Sequence, residues 1–185
     1  MSYLQELNEA IERSKRLGIA DKTFTPTTNR YYSDDRLENL IGTLSHKYGG
    51  LRPSHLIGKC LQVHFDILND VKDIFGAEPL FTLGYIYSGE QYFFQFDEND
   101  VTTWLNENID KNNVKIHAWI TLPSLEILDL TFPLTYAKVA GLEESPIAIT
   151  KHADEFTGGM KYHPVIVGEE ALFKLGVVEA LTICV

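Results

Sequence analysis

The chain has 185 residues, is 44% hydrophobic and carries a formal net charge of −10. That length accommodates one well-buried core and is short for two, so a single domain over residues 1–185 is expected. The basic residues form no dense cluster, which argues against a nucleic-acid partner, because phosphate neutralisation needs clustered Lys and Arg; the acidic balance also disfavours anionic membrane surfaces.

Two cysteines, Cys60 and Cys184, are too few for a secreted disulfide scaffold, so reduced thiols are expected. The first twenty residues are charged and amphipathic and hold no continuous apolar core of a signal peptide. No apolar run reaches the ~18 residues a membrane span needs. A cytoplasmic protein is expected, or one exported without a cleavable signal, with no membrane insertion.

In chain order, residues 2–17 place Leu4, Leu7, Ile11 and Leu17 near helical spacing, which predicts an amphipathic helix. The turn-rich stretch "TFTPTTNRYYSDD" follows, and Ser33 or Asp34 can cap a second helix with Leu37, Leu40, Ile41 and Leu44 on its apolar face. "YGGLRPSH" breaks it. "IGKCLQVHFDILNDVKDIFG" reads as a third helix stopped at Gly76, with Leu61, Phe65, Leu68 and Val71 or Ile74 three or four apart and Cys60 at its start. "PLFTLGYIYS" and "QYFFQF", joined by "GE", predict a hairpin. "DENDVTTWLNENIDKN" predicts a short helix through Val101, Trp104, Leu105 and Ile109. "VKIHAWITL" and "EILDLTF", joined by "PS", read as two more strands, and "YHPVIVG" as another. Helices first and a mainly antiparallel sheet after them make an α+β domain. Its parts are an N-terminal helical region (1–50), a core (55–135) and a C-terminal extension (136–185).

One set of residues could carry chemistry. A thiol nucleophile needs a lowered pKa, a base and donors for the developing oxyanion, and a helix N-terminus supplies positive partial charge and free N–H groups. Cys60 fits that position. An imidazole such as His117 could take the thiol proton and return it to the leaving group, and a carboxylate such as Asp129 could orient the imidazole. Alternation along the strand puts His117 with Trp119 and Thr121 on one face, while Asp129 shares a face with Ile127 and Thr131.

"GKCLQVHFDILNDVKDIFGAEPLFTLGYI" resembles the nucleophile segment of the transglutaminase-like superfamily, in which a Gly, a small gap and a Cys open a helix before a turn into a strand. "HAWITLPSLEILDLT" is similar to that superfamily's His and Asp segments. The resemblance covers about residues 55–135, with Cys, His and Asp in the family's order. It implies a papain-like core with a mainly antiparallel sheet, thiol chemistry on an amide or ester carbonyl through a thioester, and the roles of nucleophile for Cys60, general base and acid for His117 and orienting group for Asp129. Members cleave amides, deamidate glutamine or transfer acyl groups to amines, and bacterial glutamine deamidase effectors share a similar core and size. A peptide or protein amide substrate is thus implied. The stretch "DENDVTTWLNENIDKNN" looks inserted before the His strand, and the calcium-site features of large animal transglutaminases are missing.

The Cys60 N–H is the default oxyanion donor, with Tyr48, Asn29 and Gln62 as further candidates. His64, four residues from Cys60, could form a metal pair with it, but no two further ligands stand out, so neither metal nor cofactor is inferred. Cys184 reads as a packing residue. His46, His55 and His152 read as surface residues, and His163 as shaping a loop before Pro164. Two alternatives stay open: a protein glutamine deamidase, and a noncatalytic binding module that keeps the fold and uses its N-terminal helices for a partner.

Overall fold

A computed structural model describes residues 1–107, 109, 115–143 and 145–178. The chain forms two compact units, each assembled from separated segments: Met1–Thr23, Thr82–His117 and Gly159–Val185 in the first, and Phe24–Phe81 with Ala118–Gly158 in the second. Cys184 and the end of the expected insertion lie outside the described residues.

In the first unit, helix α1 (Tyr3–Arg16) starts at Ser2, whose hydroxyl accepts from the Gln5 N–H while Gln5 Oε1 accepts from the Ser2 N–H. This reciprocal box satisfies two amides that the helix itself leaves without acceptors. The helix buries Tyr3, Leu7, Ala10, Ile11 and Ser14, so the apolar stripe runs through Ala10 and Ser14, with Leu4 only half-buried. Strands β1 (Leu80–Ser88) and β2 (Gln91–Phe93) form the expected hairpin. Its two-residue loop, Gly89 and Glu90, has both φ angles positive, the backbone that matches the twist of the flanking strands. Helix α5 (Glu98–Glu107) begins where Asp97 Oδ1 accepts the Asn99 and Asp100 N–H groups at 2.7 and 3.2 Å. Strand β6 (Lys161–Val167) pairs antiparallel with β1 across a bulge at Leu83/Gly84. Ser14 joins α1 to β6: its hydroxyl donates to the Ala10 carbonyl and accepts the Val167 N–H, both at 2.8 Å.

In the second unit, Ser33 caps helix α2 (Asp34–Lys47) by accepting from the Arg36 N–H. The stretch expected to be one long helix is two, α3 (Cys60–Asp66) and α4 (Leu68–Phe75), with Gly76 ending the second in a left-handed conformation. Ile67 separates them at φ −101°, ψ 0°, outside the helical basin. The buried stripe is Val63, Ile67, Val71 and Phe75, so the expected face is displaced: Leu61, Phe65 and Leu68 are only half-buried. Strand β3 (His117–Thr121), which belongs to this unit from Ala118 on, and β4 (Glu126–Asp129) are antiparallel, with Ile120 opposite Leu128 and Thr121 opposite Ile127. Leu125 at φ 62° closes the turn between them. β4 is shorter than its sequence suggests, because Phe132 begins helix α6 (Phe132–Ala140). A further strand, β5 (Ile149–His152), pairs antiparallel with β4.

Leu40, Leu44, Leu56, Val63, Ile67, Val71, Phe75, Ile120, Leu122, Leu128 and Leu130 fill this unit's core. Each such side chain removed from water contributes about 1.5–3 kcal/mol. Helices with antiparallel strands make the chain α+β. Among the described residues, no helix is long and apolar enough to cross a membrane.

Candidate active site

Cys60 is the first residue of α3, half-buried, with its thiol in no disulfide. The loop before it turns at Gly58, whose φ of +69° lies in the left-handed region that a side chain disfavours. The Gly58 N–H donates to Thr135 Oγ1 at 3.0 Å, and Thr135 Oγ1 donates in turn to the Thr131 carbonyl at 2.7 Å. On the other side of Cys60, its carbonyl oxygen lies 2.8 Å from His64 Nδ1.

His64 is completely buried. Its Nε2 accepts the Leu130 N–H at 3.0 Å. A ring nitrogen that accepts carries no proton, so the proton is on Nδ1, which donates to the Cys60 carbonyl, and the ring is neutral. Asp129 Oδ1 stands 3.6 Å from the same Nε2. That oxygen accepts from the Thr131 N–H (2.9 Å), the Thr131 hydroxyl (3.1 Å) and the Phe132 N–H (3.0 Å). Three converging donors at the start of α6 favour the ionised carboxylate. Asp129, the last residue of β4, therefore gathers the amides at the start of α6, whose N-cap residue is Thr131.

The loop ahead of Cys60, the first residues of α3 and the β4–α6 corner are thus stitched together at two places, Gly58 to Thr135 and Cys60 through His64 to Leu130. Cys60 and Asp129 belong to this one assembly in the second unit.

His117 ends the middle segment of the first unit and is 1% exposed. Its ring stacks on Phe94, with centroids 5.3 Å apart and planes at 21°, and lies 6.4 Å from the Tyr162 ring. The aromatic neighbours fix the plane of the imidazole. In the second unit, Trp119 and Thr121 share a face of β3, and Thr121 opposes Ile127, whose face of β4 also carries Asp129. The opposite face of β3 carries Ile120 into the core.

Compared with known protein families, with curated proteins and with solved structures, the chain matches none.

The oxyanion candidates fall in different settings. Gln62 and Asn29 are exposed. Tyr48 donates to Asp66 Oδ2 at 3.3 Å and packs its ring 5.2 Å from that of His55; burial, with Asp66 beside it, pushes the phenol up from its ordinary value. Beside Cys60, His64 turns its two ring nitrogens to the Cys60 carbonyl and the Leu130 N–H. Among the described residues, no three His, Cys, Asp or Glu side chains are grouped to hold a metal ion.

Sequence reasoning missed three participants. Thr131 and Thr135 announce themselves in "DLTFPLT": a Pro in the first helical turn after an Asp-x-Thr is a helix start, which a reading as continuous strand passes over. Glu126 is the third. It is 5% exposed, accepts the Tyr31 N–H at 2.8 Å and the Tyr32 N–H at 3.3 Å, and bonds the Ser124 hydroxyl. It fastens the connection before α2 to the start of β4, and nothing in its sequence context distinguishes it from a solvated glutamate.

The first unit carries a cleft of about 640 Å³. Glu6, Glu9 and Arg13 of α1 line it together with Tyr85 and His163. His163 Nδ1 is 2.8 Å from Glu6 Oε2, and the ring stacks on Tyr85 with centroids 4.8 Å apart. His163 is thus part of a polar cleft wall rather than a loop.

Proposed function

We propose that the chain is a cysteine-dependent amide hydrolase or acyltransferase on a papain-like core, with Cys60 as nucleophile, His117 as general base and acid, and Asp129 as the orienting carboxylate. The observation that carries the reading is the setting of Cys60. Cys60 is the first residue of a helix and only partly buried, and its flanking backbone is held to the corner at Asp129 through Gly58–Thr135 and through His64.

In this reading the imidazole takes the Cys60 proton and the thiolate sulfur attacks the carbonyl carbon, sending the π pair to oxygen. The N–H groups of the first turn of α3 stabilise that oxyanion. Collapse breaks the C–N bond, the amine leaves with the imidazolium proton, and a thioester remains. Water then gives the acid, or a second amine gives a new amide. With a glutamine side chain as acyl donor and water as acceptor, the product is a deamidated protein.

Iodoacetamide labelling at neutral pH, mapped by peptide mass spectrometry to separate Cys60 from Cys184, tests the nucleophile. The expected result is alkylation of Cys60 faster than that of a free thiol, with reaction toward a thiol-directed glutamine analogue lost in Cys60→Ala and His117→Ala. A Cys60 that reacts no faster than a free thiol rules the enzyme out.

The cleft of the first unit favours a second reading, a binding module that uses the N-terminal helix. Its walls present the Glu6–His163 pair and the Tyr85 ring without a nucleophile among the lining residues. A partner captured by the wild-type chain and lost in Glu6→Ala but kept in Cys60→Ala would establish it.

A further inference from the structure

We infer that His64 and Thr135 are positioning residues for the Cys60 thiol, an inference that rests on the reading of Cys60 as a nucleophile. Neither is a catalytic residue: His64 is 0% exposed and both its nitrogens engage backbone groups, and Thr135 bonds the Gly58 amide and the Thr131 carbonyl. What they do is hold the chain on both sides of the sulfur.

The two residues before Cys60 are anchored through the Gly58 N–H, and the peptide after it through the Cys60 carbonyl. A peptide unit is planar. Fixing the direction of the Cys60 carbonyl therefore fixes the Leu61 N–H as well. Fixing Gly58, whose left-handed turn aims the chain into α3, fixes the entry. The Cα–Cβ bond of Cys60 is thus held from both sides. Both anchors end on one corner of the fold, Leu130 to Thr135, where Asp129 ties Thr131 and Phe132 together. The corner thus sets where the sulfur originates relative to the Asp129 carboxylate.

The anchoring is also chemically selective. His64 can serve both contacts only in the neutral form with its proton on Nδ1. Thr135 can serve both of its contacts only because one hydroxyl donates once and accepts once.

The test compares four variants of the full chain by far-UV circular dichroism and by the pH profile of Cys60 alkylation. It also measures the rate of reaction with a thiol-directed glutamine analogue. Thr135→Val keeps the shape and loses both bonds; Thr135→Ser keeps both. His64→Phe keeps the ring volume and loses both bonds; His64→Gln offers an amide donor and acceptor in their place. Misplacement of a reacting group by about 1 Å costs on the order of a hundredfold. The expected result is a loss of about tenfold to a hundredfold toward the analogue in Thr135→Val and His64→Phe. An altered pH midpoint of alkylation accompanies it, with recovery in Thr135→Ser and His64→Gln. A folded Thr135→Val that keeps the wild-type rate and pH profile overturns the inference, whether or not His64→Phe folds. A wild-type Cys60 no more reactive than a free thiol overturns the nucleophile reading, and the inference with it; the two failures separate because only the second is seen in the wild-type chain.

Discussion

Asp129 Oδ1 and His64 Nε2 lie 3.6 Å apart in the interior of the second unit, both side chains fully buried, with the Leu130 N–H as a hydrogen-bond donor to that nitrogen. Nε2 faces the Leu130 N–H at 3.0 Å, so a proton there would point at another proton. The arrangement avoids the cost of a buried charge on the ring, which is several kcal/mol for an ion that leaves water. It leaves the Asp129 carboxylate to the donors of α6. The expected outcome in nitrogen-resolved NMR at neutral pH is a neutral His64 with its proton on Nδ1, slow to exchange. A doubly protonated ring would mean that the pair is ionic and that Leu130 has another acceptor.

Asp129 has a structural job that can be separated from the proposed catalytic one. Asp129→Ala removes the acceptor of three buried donors, and a buried donor left without a partner costs about 1–3 kcal/mol. With shared relaxation, a total of about 3 kcal/mol is expected from urea unfolding. Asp129→Asn keeps an oxygen for these donors and should cost about 1 kcal/mol. The asparagine variant is therefore the one in which to measure reactivity. Equal losses in the two variants would show that the start of α6 does not depend on Oδ1.

The coarse plan was legible in the sequence because most of it is written in local signals. The Gly89–Glu90 hairpin, the Ser33 cap and the Gly76 stop are each fixed by residues within a few positions of one another. The second half of the Cys60 helix misled because two periodicities coexist there. Leu61, Phe65 and Leu68 compete with Val63 and Ile67, Val71 fits either set, and only packing against Ile120 and Leu128 decides which is buried. His64 could be paired with Cys60 by spacing alone, yet its Nε2 is taken by Leu130, a contact 66 residues away. Helix α6 was hidden because "ILDLTF" is as good a strand as it is a strand followed by a capped helix. The fate of Glu126 depends wholly on where the backbone of Tyr31 and Tyr32 is brought.

Glu98 gives a pH-dependent prediction in the first unit. The Arg16 guanidinium, hydrogen-bonded to it at 2.7 and 2.9 Å, and then Arg13 at 3.1 Å, hold its carboxyl at about 2, below the ordinary 4.5. A carboxyl lowered on folding contributes stability that is present above its unfolded value and lost as pH falls through its folded one. The contribution is therefore whole above pH 4.5 and gone near pH 2. Solvent screens these partly exposed groups, so the effect is modest and shrinks in salt. Urea midpoints of the wild type and Glu98→Gln should differ at neutral pH and converge as pH falls through that window. A gap that persists unchanged below it would assign the difference to something other than the carboxylate charge.

Gly168 follows β6 and is a position where a single methyl group should do marked harm. Its φ of +97° is one that a side chain rarely adopts, and a Cβ there would stand 2.5 Å from the Ala20 Cβ and 2.7 Å from Glu170 Oε2. The glutamate could swing away, but Ala20 has no side-chain freedom and its Cβ moves only with the backbone. Backbone strain of about 1–3 kcal/mol adds to an overpacking cost of about 1–3 kcal/mol. Gly168→Ala should thus destabilise by about 2–6 kcal/mol in urea unfolding. Gly18, in the same unit at φ +68°, supplies the control, because a methyl group added there would meet nothing within 4 Å. Gly18→Ala should cost only about 1 kcal/mol, since strain without collision is all it meets. If the two substitutions cost the same, the close approach of Ala20 to Gly168 is not rigid, and the segment from Ile19 to Lys22 must be able to yield.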